Sequence, residues 1–537
     1  RGMNFAIRFL KRAFNMAEAG NGEDAAYLAS PWRLLLEGGV LAGSGLLFST
    51  ASIYPAMSFL AWFALAPLYL IARGGSTARA AGRGFIWGYF WALGSFFWLR
   101  EIEPFVPFVF GAIIGFFPML WAAAIPSLER NLLVPAALRL KGSDELSKFH
   151  SERLLPEILL ALSLASLWCL QEWLRSWIFT GMPWNFLGAT QWKFNTFVQI
   201  SEITGIYGLS FVLVLVNVGL AMLFAKPTQR RLAAFLLALL ALGGSLLAGE
   251  LLEIRAAKTQ PEKDLNVLVV QCDLSQRRHA SQTEAQEALD VCMSLSEKGF
   301  IEAAKAGQPI DLAVWPETAV PIPLTLMNPF SITYRFRLFD LIKAFKTPFI
   351  VGSLDYGEPT GPDNRLPAYN AALLIDGTTK IVDSYRKEHI VPFGEYVPFG
   401  DSFPQLNKWI GMGRNLQRGE FFIQLEAQPG IRIGMSICYE DIFPYISRAH
   451  ALRGANLLMV ITNDAWYPKS SEPDQHFANA IFRAVETRLP MLRCGNSNYS
   501  VLVNPLGRVV DSVGRNADGS LAPELKVRGS AIFKVKV

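Results

Sequence analysis

The sequence predicts a polytopic α-helical membrane domain followed by an α/β layered soluble domain. Three observations carry that expectation. Long apolar runs almost free of charge fill the first half of the chain. From about Leu265 they give way to short β-branched runs alternating with helical patterns. The 537 residues are 51% hydrophobic and only 18% charged, where soluble domains carry roughly 25% charged residues, and this deficit is concentrated in the first half.

Seven runs in that half approach the ~20 apolar residues needed to cross a bilayer core. They lie at about 34–51, 54–72, 84–99, 104–127, 155–174, 205–225 and 232–250. The third is short, and Glu101 and Glu103 blur its end. Lys and Arg fall in alternate loops: Arg8, Lys11, Arg12 and Arg33 before the first run, Arg73, Arg79 and Arg83 after the second, Arg130, Arg139, Lys141, Lys148 and Arg153 after the fourth, and Lys226, Arg230 and Arg231 after the sixth. The opposite side holds short links and the segment 175–204, with only Arg175 and Lys193. Positive charge stays cytoplasmic, so the N-terminus is expected inside, and seven crossings put everything after residue 250 outside the cytoplasm. The mixed, charged first thirty residues do not read as a cleaved signal peptide. A transporter or receptor would carry charges within its bundle; the spans hold few, Glu37 and Glu172 lying near ends.

The predicted division is 1–258 for the membrane domain and 259–537 for the soluble one, with the boundary near Thr259–Lys263. Strand-like runs at Leu265–Gln271, Leu312–Trp315, Phe349–Ser353, Ala371–Ile375, Ile431–Ile437 and Leu457–Thr462 alternate with helical patterns near 283–305, 333–346, 441–453 and 474–488, which indicates layered α/β architecture. The net charge of +5 is small, and its positive residues sit between apolar runs, so a nucleic-acid partner is not expected. Five scattered cysteines, 169, 272, 292, 438 and 494, form no CxxC pair; this argues against a disulfide framework and a zinc site, and no metal or cofactor is expected.

Three stretches place a reactive side chain just after an apolar run, where open α/β folds gather their sites. In Leu312-Ala313-Val314-Trp315-Pro316-Glu317, proline stops the strand and Glu317 emerges beside Trp315; an apolar setting raises a carboxyl's pKa and suits it to general-base work. The stretch from Tyr385 to Pro398 is a stiff loop with Lys387 and Glu395 near its ends and His389 expected to be structural. An ammonium near a thiolate lowers the thiol's pKa and can hold an oxyanion. In Ile431–Asp441 a strand runs into Cys438 and a helical pattern follows, ended near Gly454; free N–H groups at such a turn favour a thiolate. Taken singly, an exposed turn carboxylate, a solvated lysine and a buried inert cysteine are the competing readings.

Together these segments resemble the nitrilase superfamily of carbon–nitrogen hydrolases, over about residues 265–535. The resemblance implies an αββα sandwich and a Glu–Lys–Cys group at Glu317, Lys387 and Cys438, with Glu395 similar to the family's second glutamate. Asn463-Asp464-Ala465-Trp466 and His476-Phe477 resemble later motifs. The seven-span half, Gly181-Met182-Pro183-Trp184, Val391–Pro398 and Cys438-Tyr439-Glu440 are further similar to the apolipoprotein N-acyltransferase family. That resemblance implies a phospholipid acyl donor, a Cys438 thioester, a diacylated apolipoprotein acceptor, and a site in the bacterial inner membrane with its catalytic domain periplasmic. A monomer suffices. Glu395, Tyr439, Glu440 and Asn370 are expected to support the site, and 399–413, with Phe403, Trp409 and Ile410, to form an apolar lid. The sequence departs from the family in ending at Val537 without a last span, and in lacking tryptophan in Gln276–Ala280. A membrane-tethered amidase or nitrilase transferring to water would use the same residues.

Overall fold

The computed structural model describes residues 31–133, 154–258, 263–275, 282–326, 329–359, 366–410 and 415–537. The expectations that fall on Arg8, Lys11, Arg12, Arg139, Lys141, Lys148, Arg153, 259–262, Gln276–Ala280 and 411–413, and on the side chains of Trp409 and Ile410, lie outside the described residues. The chain divides into two compact units, Arg1–Leu252 and Glu253–Val537.

The first unit is helical. Helix α1 spans Pro31–Ile53, and a 3₁₀ turn at Pro55–Trp62 leads into α2, Ala66–Ala72. Then follow α3 (Thr77–Ser95), α4 (Val106–Leu133), α5 (Leu155–Arg175), α6 (Ile206–Ala225) and α7 (Gln229–Ala257). Among the described residues, six segments are long and apolar enough to cross a membrane: α1, Pro55–Ala72, α4, α5, α6 and α7. The third expected run, 84–99, forms α3, which is not among the six, because the helix begins earlier and takes in Arg79 and Arg83. It nevertheless lies along its neighbours through glycines. A Cβ at Gly84 would sit 2.6 Å from the Pro118 carbonyl oxygen, and one at Gly88 3.0 Å from Gly115 Cα. Small residues let helix backbones approach where dispersion drives association.

Charges in this unit are paired at helix ends. Glu37, near the start of α1, bonds Arg33 at 2.9 Å and Arg83, near the start of α3, at 2.6 Å. Arg73, just past α2, meets Glu129 near the end of α4 at 3.4 Å, and Arg231 at the start of α7 meets Glu157 at the start of α5 at 3.7 Å. Apart from Arg33–Glu37, which lies within α1, each pair joins like ends of two helical segments, as an alternating bundle requires. Glu172 is buried and accepts from the Trp168 indole (2.9 Å) and the Leu187 amide (2.7 Å), so it is a structural acceptor.

The second unit is a sandwich of two six-stranded sheets, ordered β12-β1-β2-β3-β4-β5 and β11-β10-β9-β8-β7-β6. The strands are β1 Asp264–Gln271, β2 Leu312–Val314, β3 Phe349–Tyr356, β4 Ala368–Ile375, β5 Ile381–Arg386, β6 Gln424–Gln428, β7 Ile431–Ile437, β8 Leu457–Thr462, β9 Met491–Gly495, β10 Val501–Val503, β11 Val509–Ser512 and β12 Gly529–Lys536. Helices α8 (Gln282–Lys305) and α9 (Pro329–Phe345) cover the first sheet; α10 is Pro404–Ile410, α11 Pro444–Leu452, α12 Glu472–Ala480 and α13 Phe482–Thr487. Alternation sorts the core. Val267 and Val269 of β1 face the other sheet with Ile433, Met435 and Ile437, while Leu268 and Val270 pack under the helices with Leu289, Leu338 and Ile342. Both faces are buried, which is why these strands read as continuous apolar runs.

The structure corrects one expectation from the cysteine pattern. Cys272, after β1, and Cys292, in α8, form a disulfide with Cα atoms 6.0 Å apart, while Cys169, Cys438 and Cys494 are free. Sequence spacing did not reveal the pair because packing of α8 on β1 brings the two together.

Candidate active site

Each of the three expected residues leaves the end of a strand. Beyond β2, the Trp315 amide donates to the Ile350 carbonyl at 2.9 Å and its indole to Ser296 of α8 at 2.9 Å, so the strand's course is held up to Pro316. The chain then turns past Gly352 of β3, where a Cβ would lie 2.7 Å from Glu317 Cα and collide with the Pro316 carbonyl. Glycine there admits the turn that delivers Glu317. Lys387 follows β5 directly; its amide donates to the Asn370 carbonyl at 2.8 Å. Cys438 follows β7, begins a 3₁₀ turn to Ile442, and has φ of 55°. A left-handed cysteine is a strained choice of the kind found at functional turns.

The side chains converge. Asn370 Nδ2 donates to Glu317 Oε1 at 2.7 Å and to Glu395 Oε1 at 2.9 Å. Lys387 Nζ lies 3.0 Å from Glu395 Oε1 and 4.0 Å from Glu317 Oε1. Glu395 Oε2 accepts the Val391 amide at 2.8 Å. Lys387 is 1% and Glu317 7% exposed, so these charges interact with little screening. Glu317 Oε2 has no hydrogen-bond partner among the described residues and remains available to a proton donor.

The electrostatics follow from this packing. Burial pushes the Glu317 carboxyl up, opposed by Lys387 and reinforced by Glu395. Burial alone would depress Lys387, but Glu395, Glu317 and Cys438 outweigh it and keep the ammonium charged. Cys438 differs from the expectation. Lys387 does lower its thiol, but burial and the Glu317 charge raise it more, and the net shift is well upward. A thiol of raised pKa thus acts against a carboxyl whose pKa is also raised, an arrangement chemically suited to proton transfer from sulfur to oxygen.

The other expected supports lie as follows. Glu440 is fully buried and accepts the amides of Glu388 (2.6 Å), His389 (2.8 Å) and Ile437 (2.7 Å) and the Tyr385 hydroxyl (2.9 Å), tying the cysteine turn to the lysine loop. Tyr439 packs edge-on to Phe443, ring centroids 5.0 Å apart. His389 bonds the Tyr445 hydroxyl at 2.9 Å within the same aromatic group. Phe399 and Phe403, from the expected apolar loop, are exposed.

Behind Cys438 sits a buried network that sequence reasoning left without a role. His476 joins Asp441 at 2.8 Å and Asp464 at 2.9 Å. Arg493 of β9 ion-pairs with both aspartates, at 2.9 Å to Asp464. Asp464, Glu472 and His476 have a spacing that could hold a metal ion, but Arg493 Nη2 lies 3.1 Å from His476 Nδ1 and already supplies the positive charge. Asp441 and Arg493 gave no separate signal, because a charge inside a strand or turn is informative only when its partners are known.

The carbon–nitrogen hydrolase family model matches residues 266–529, and the apolipoprotein N-acyltransferase N-terminal domain model matches residues 44–219. An apolipoprotein N-acyltransferase of Geobacter metallireducens is 32% identical over 474 residues, 87% of this chain and 85% of that protein. The chain belongs to the apolipoprotein N-acyltransferase family. A relative of the same name from Rickettsia prowazekii is 29% identical over 88% of each chain. Among solved structures, an amidase of the nitrilase superfamily from Nesterenkonia AN1 matches 51% of this chain and 90% of that one, at 20% identity and a TM-score of 0.34. Membership spans both units, and with its six apolar segments the chain is a membrane enzyme of that family.

Proposed function

We propose that this enzyme moves an acyl chain from a phospholipid, through a thioester on Cys438, to the α-amino group of the diacylglyceryl-cysteine that begins an apolipoprotein. The observation that carries the reading is the cluster of Glu317, Asn370, Lys387 and Glu395, of which Glu317 and Lys387 act on the Cys438 thiol, in a chain similar to apolipoprotein N-acyltransferases over most of its length. Glu317 accepts the Cys438 proton and the sulfur attacks the ester carbonyl. Lys387 and backbone N–H groups at the turn hold the tetrahedral oxyanion. As it collapses, the lysophospholipid oxygen leaves with the proton from Glu317, and the acyl group stays on sulfur. The lipoprotein amine then attacks the thioester, gives its proton to Glu317, and the amide departs as Cys438 regains a thiol. Glu395 and Asn370 orient Lys387 and Glu317 throughout. No metal or cofactor has a part in these steps.

Crossing parity supports a periplasmic catalytic domain in the bacterial inner membrane: the Arg83–Glu37 pair joins α3 to α1 at like ends, and α3 counted with the six apolar segments makes seven crossings, which from a cytoplasmic, Lys/Arg-rich side end outside. The deciding experiment is mass spectrometry of a diacylated lipopeptide incubated with enzyme and phospholipid. A gain of one acyl chain that is lost in Cys438→Ser is expected. Fatty acid released to water with no lipopeptide gain, or full turnover by Cys438→Ser, would overturn the reading.

A further inference from the structure

Thr462 ends β8 beside the end of β7, since Ile461 pairs with Ile437 in parallel register and each strand then delivers its next residue, Thr462 or Cys438. Thr462 is fully buried. Its backbone is fixed by the β9 pairing to Gly495 and by the Asn496 amide, which donates to its carbonyl at 3.0 Å. Its hydroxyl donates to Asp464 Oδ1 at 2.9 Å, and the parallel register sets Thr462 beside Cys438, whose anionic form it favours. A threonine has one O–H to give. It cannot serve both acceptors at once.

We propose that Thr462 is a catalytic residue whose single O–H swings from the Asp464 carboxylate to the Cys438 sulfur whenever that sulfur carries negative charge. The swing leaves no acceptor stranded. Asp464 keeps His476 Nδ1 at 2.9 Å and Arg493 Nη2 at 2.9 Å when the hydroxyl turns away, so the aspartate remains satisfied while the thiolate gains a charge-assisted bond. The sulfur is anionic at two points, as it attacks the ester and as it leaves the thioester to the amine. A donor that engages only then lowers both barriers without tightening the ground state. The His476–Arg493 network thereby acquires a purpose, which is to hold Asp464 as a resting acceptor that can release the hydroxyl. The proton itself passes to Glu317, so no bond beyond those of the acyl transfer is made or broken.

This inference rests on Cys438 as the nucleophile, and the test separates the two. The full chain is compared as wild type, Thr462→Val, Thr462→Ser and Cys438→Ser in acyl transfer from phospholipid, and the first three also in alkylation of Cys438 by iodoacetamide across pH. The charged groups acting on that thiol, Glu317, Lys387, Asp464 and Arg493, are the same in all variants. We expect Thr462→Val to lose kcat roughly 10- to 100-fold, the scale of one hydrogen bond to a charged group, with KM unchanged and the alkylation inflection moved to higher pH. Thr462→Ser keeps the donor and should stay within a few-fold of wild type. A Thr462→Val enzyme with wild-type kcat and inflection, or Thr462→Ser as impaired as Thr462→Val, would overturn the proposal while leaving the nucleophile intact. Full turnover by Cys438→Ser would instead remove the reading beneath it. Should the valine variant fail to accumulate, Thr462→Ala against Thr462→Ser gives the same contrast.

Discussion

Glu317 and Cys438 are tuned against each other. The thiol is held up by burial and by Glu317, and the Glu317 carboxyl is itself held up by burial, so the proton on sulfur faces an acceptor of raised basicity. Lys387 stays an ammonium because Glu395 and Glu317 outweigh its loss of solvent. Replacing Glu317 with Gln keeps the shape and the Asn370 contact region but removes the proposed proton acceptor. Single-turnover trapping of the acyl-enzyme should show Glu317→Gln slower by roughly 10²- to 10⁴-fold, the usual worth of a general base. The sign of the pH dependence follows from the raised carboxyl. The base works only when deprotonated, so the acid limb of kcat/KM should rise with pH through a value above the ordinary carboxylate range. A limb at the ordinary glutamate value would assign the base elsewhere.

At the scale of elements, strand ends and the turns behind them decide where the reactive atoms sit. Gly352 is one such control point, since its missing Cβ makes room for the Pro316–Glu317 turn. A Gly352→Ala enzyme should keep its far-UV circular dichroism yet lose about 10²-fold in kcat, as displacement of a catalytic group by an ångström does; unchanged kcat would show that the turn moves freely. The buried network is the second control. Burial alone would lower His476, but Asp441 and Asp464 outweigh it and push the imidazole up to about 10. The folded state thus binds this proton more tightly than the unfolded chain. Its stabilising contribution is complete below about pH 6.5, the unfolded value, and is lost as pH rises through about 10. Thermal melts of the wild type should therefore weaken across that window, and His476→Gln should melt lower at neutral pH with a shallower slope. A wild-type melting temperature flat from pH 6.5 to 10 would contradict the charged bridge.

Taken as a whole, the molecule joins a bundle whose charges pair at like helix ends to a sandwich whose strands are buried on both faces. The proposed topology can be read by labelling. In a Cys438→Ala background, Asp518→Cys in the exposed turn after β11 should react with a membrane-impermeant maleimide in intact spheroplasts, whereas Gln229→Cys at the start of α7 should react only after lysis; the opposite pattern would invert the topology. Much of this architecture was legible in sequence. Runs near 20 residues mark membrane crossings because the bilayer leaves few alternatives, and β1, β2, β3, β4, β7 and β8 announce themselves because burial on both faces leaves no polar alternation to confuse them. Strand β5, whose exposed Val382 and Asp383 interrupt the pattern, and short β10 and β11 gave no sign, and the end of β5 fell in the stretch expected as a loop from Tyr385. The residues Glu317, Lys387 and Cys438 stood out by position and resemblance. What sequence alone determined was the two-part architecture and the identity of the reactive types, because hydrophobic periodicity and strand-end placement are local properties. The Cys272–Cys292 bridge, the Asp441–His476–Asp464–Arg493 network, the net upward shift of the thiol and the nearness of Thr462 to Cys438 were decided only by tertiary structure. These features join groups apart along the chain, 12 positions for Asp464–His476, 20 for Cys272–Cys292 and 52 for Asp441–Arg493, and distance through space, not along the chain, sets both electrostatic energy and hydrogen bonding.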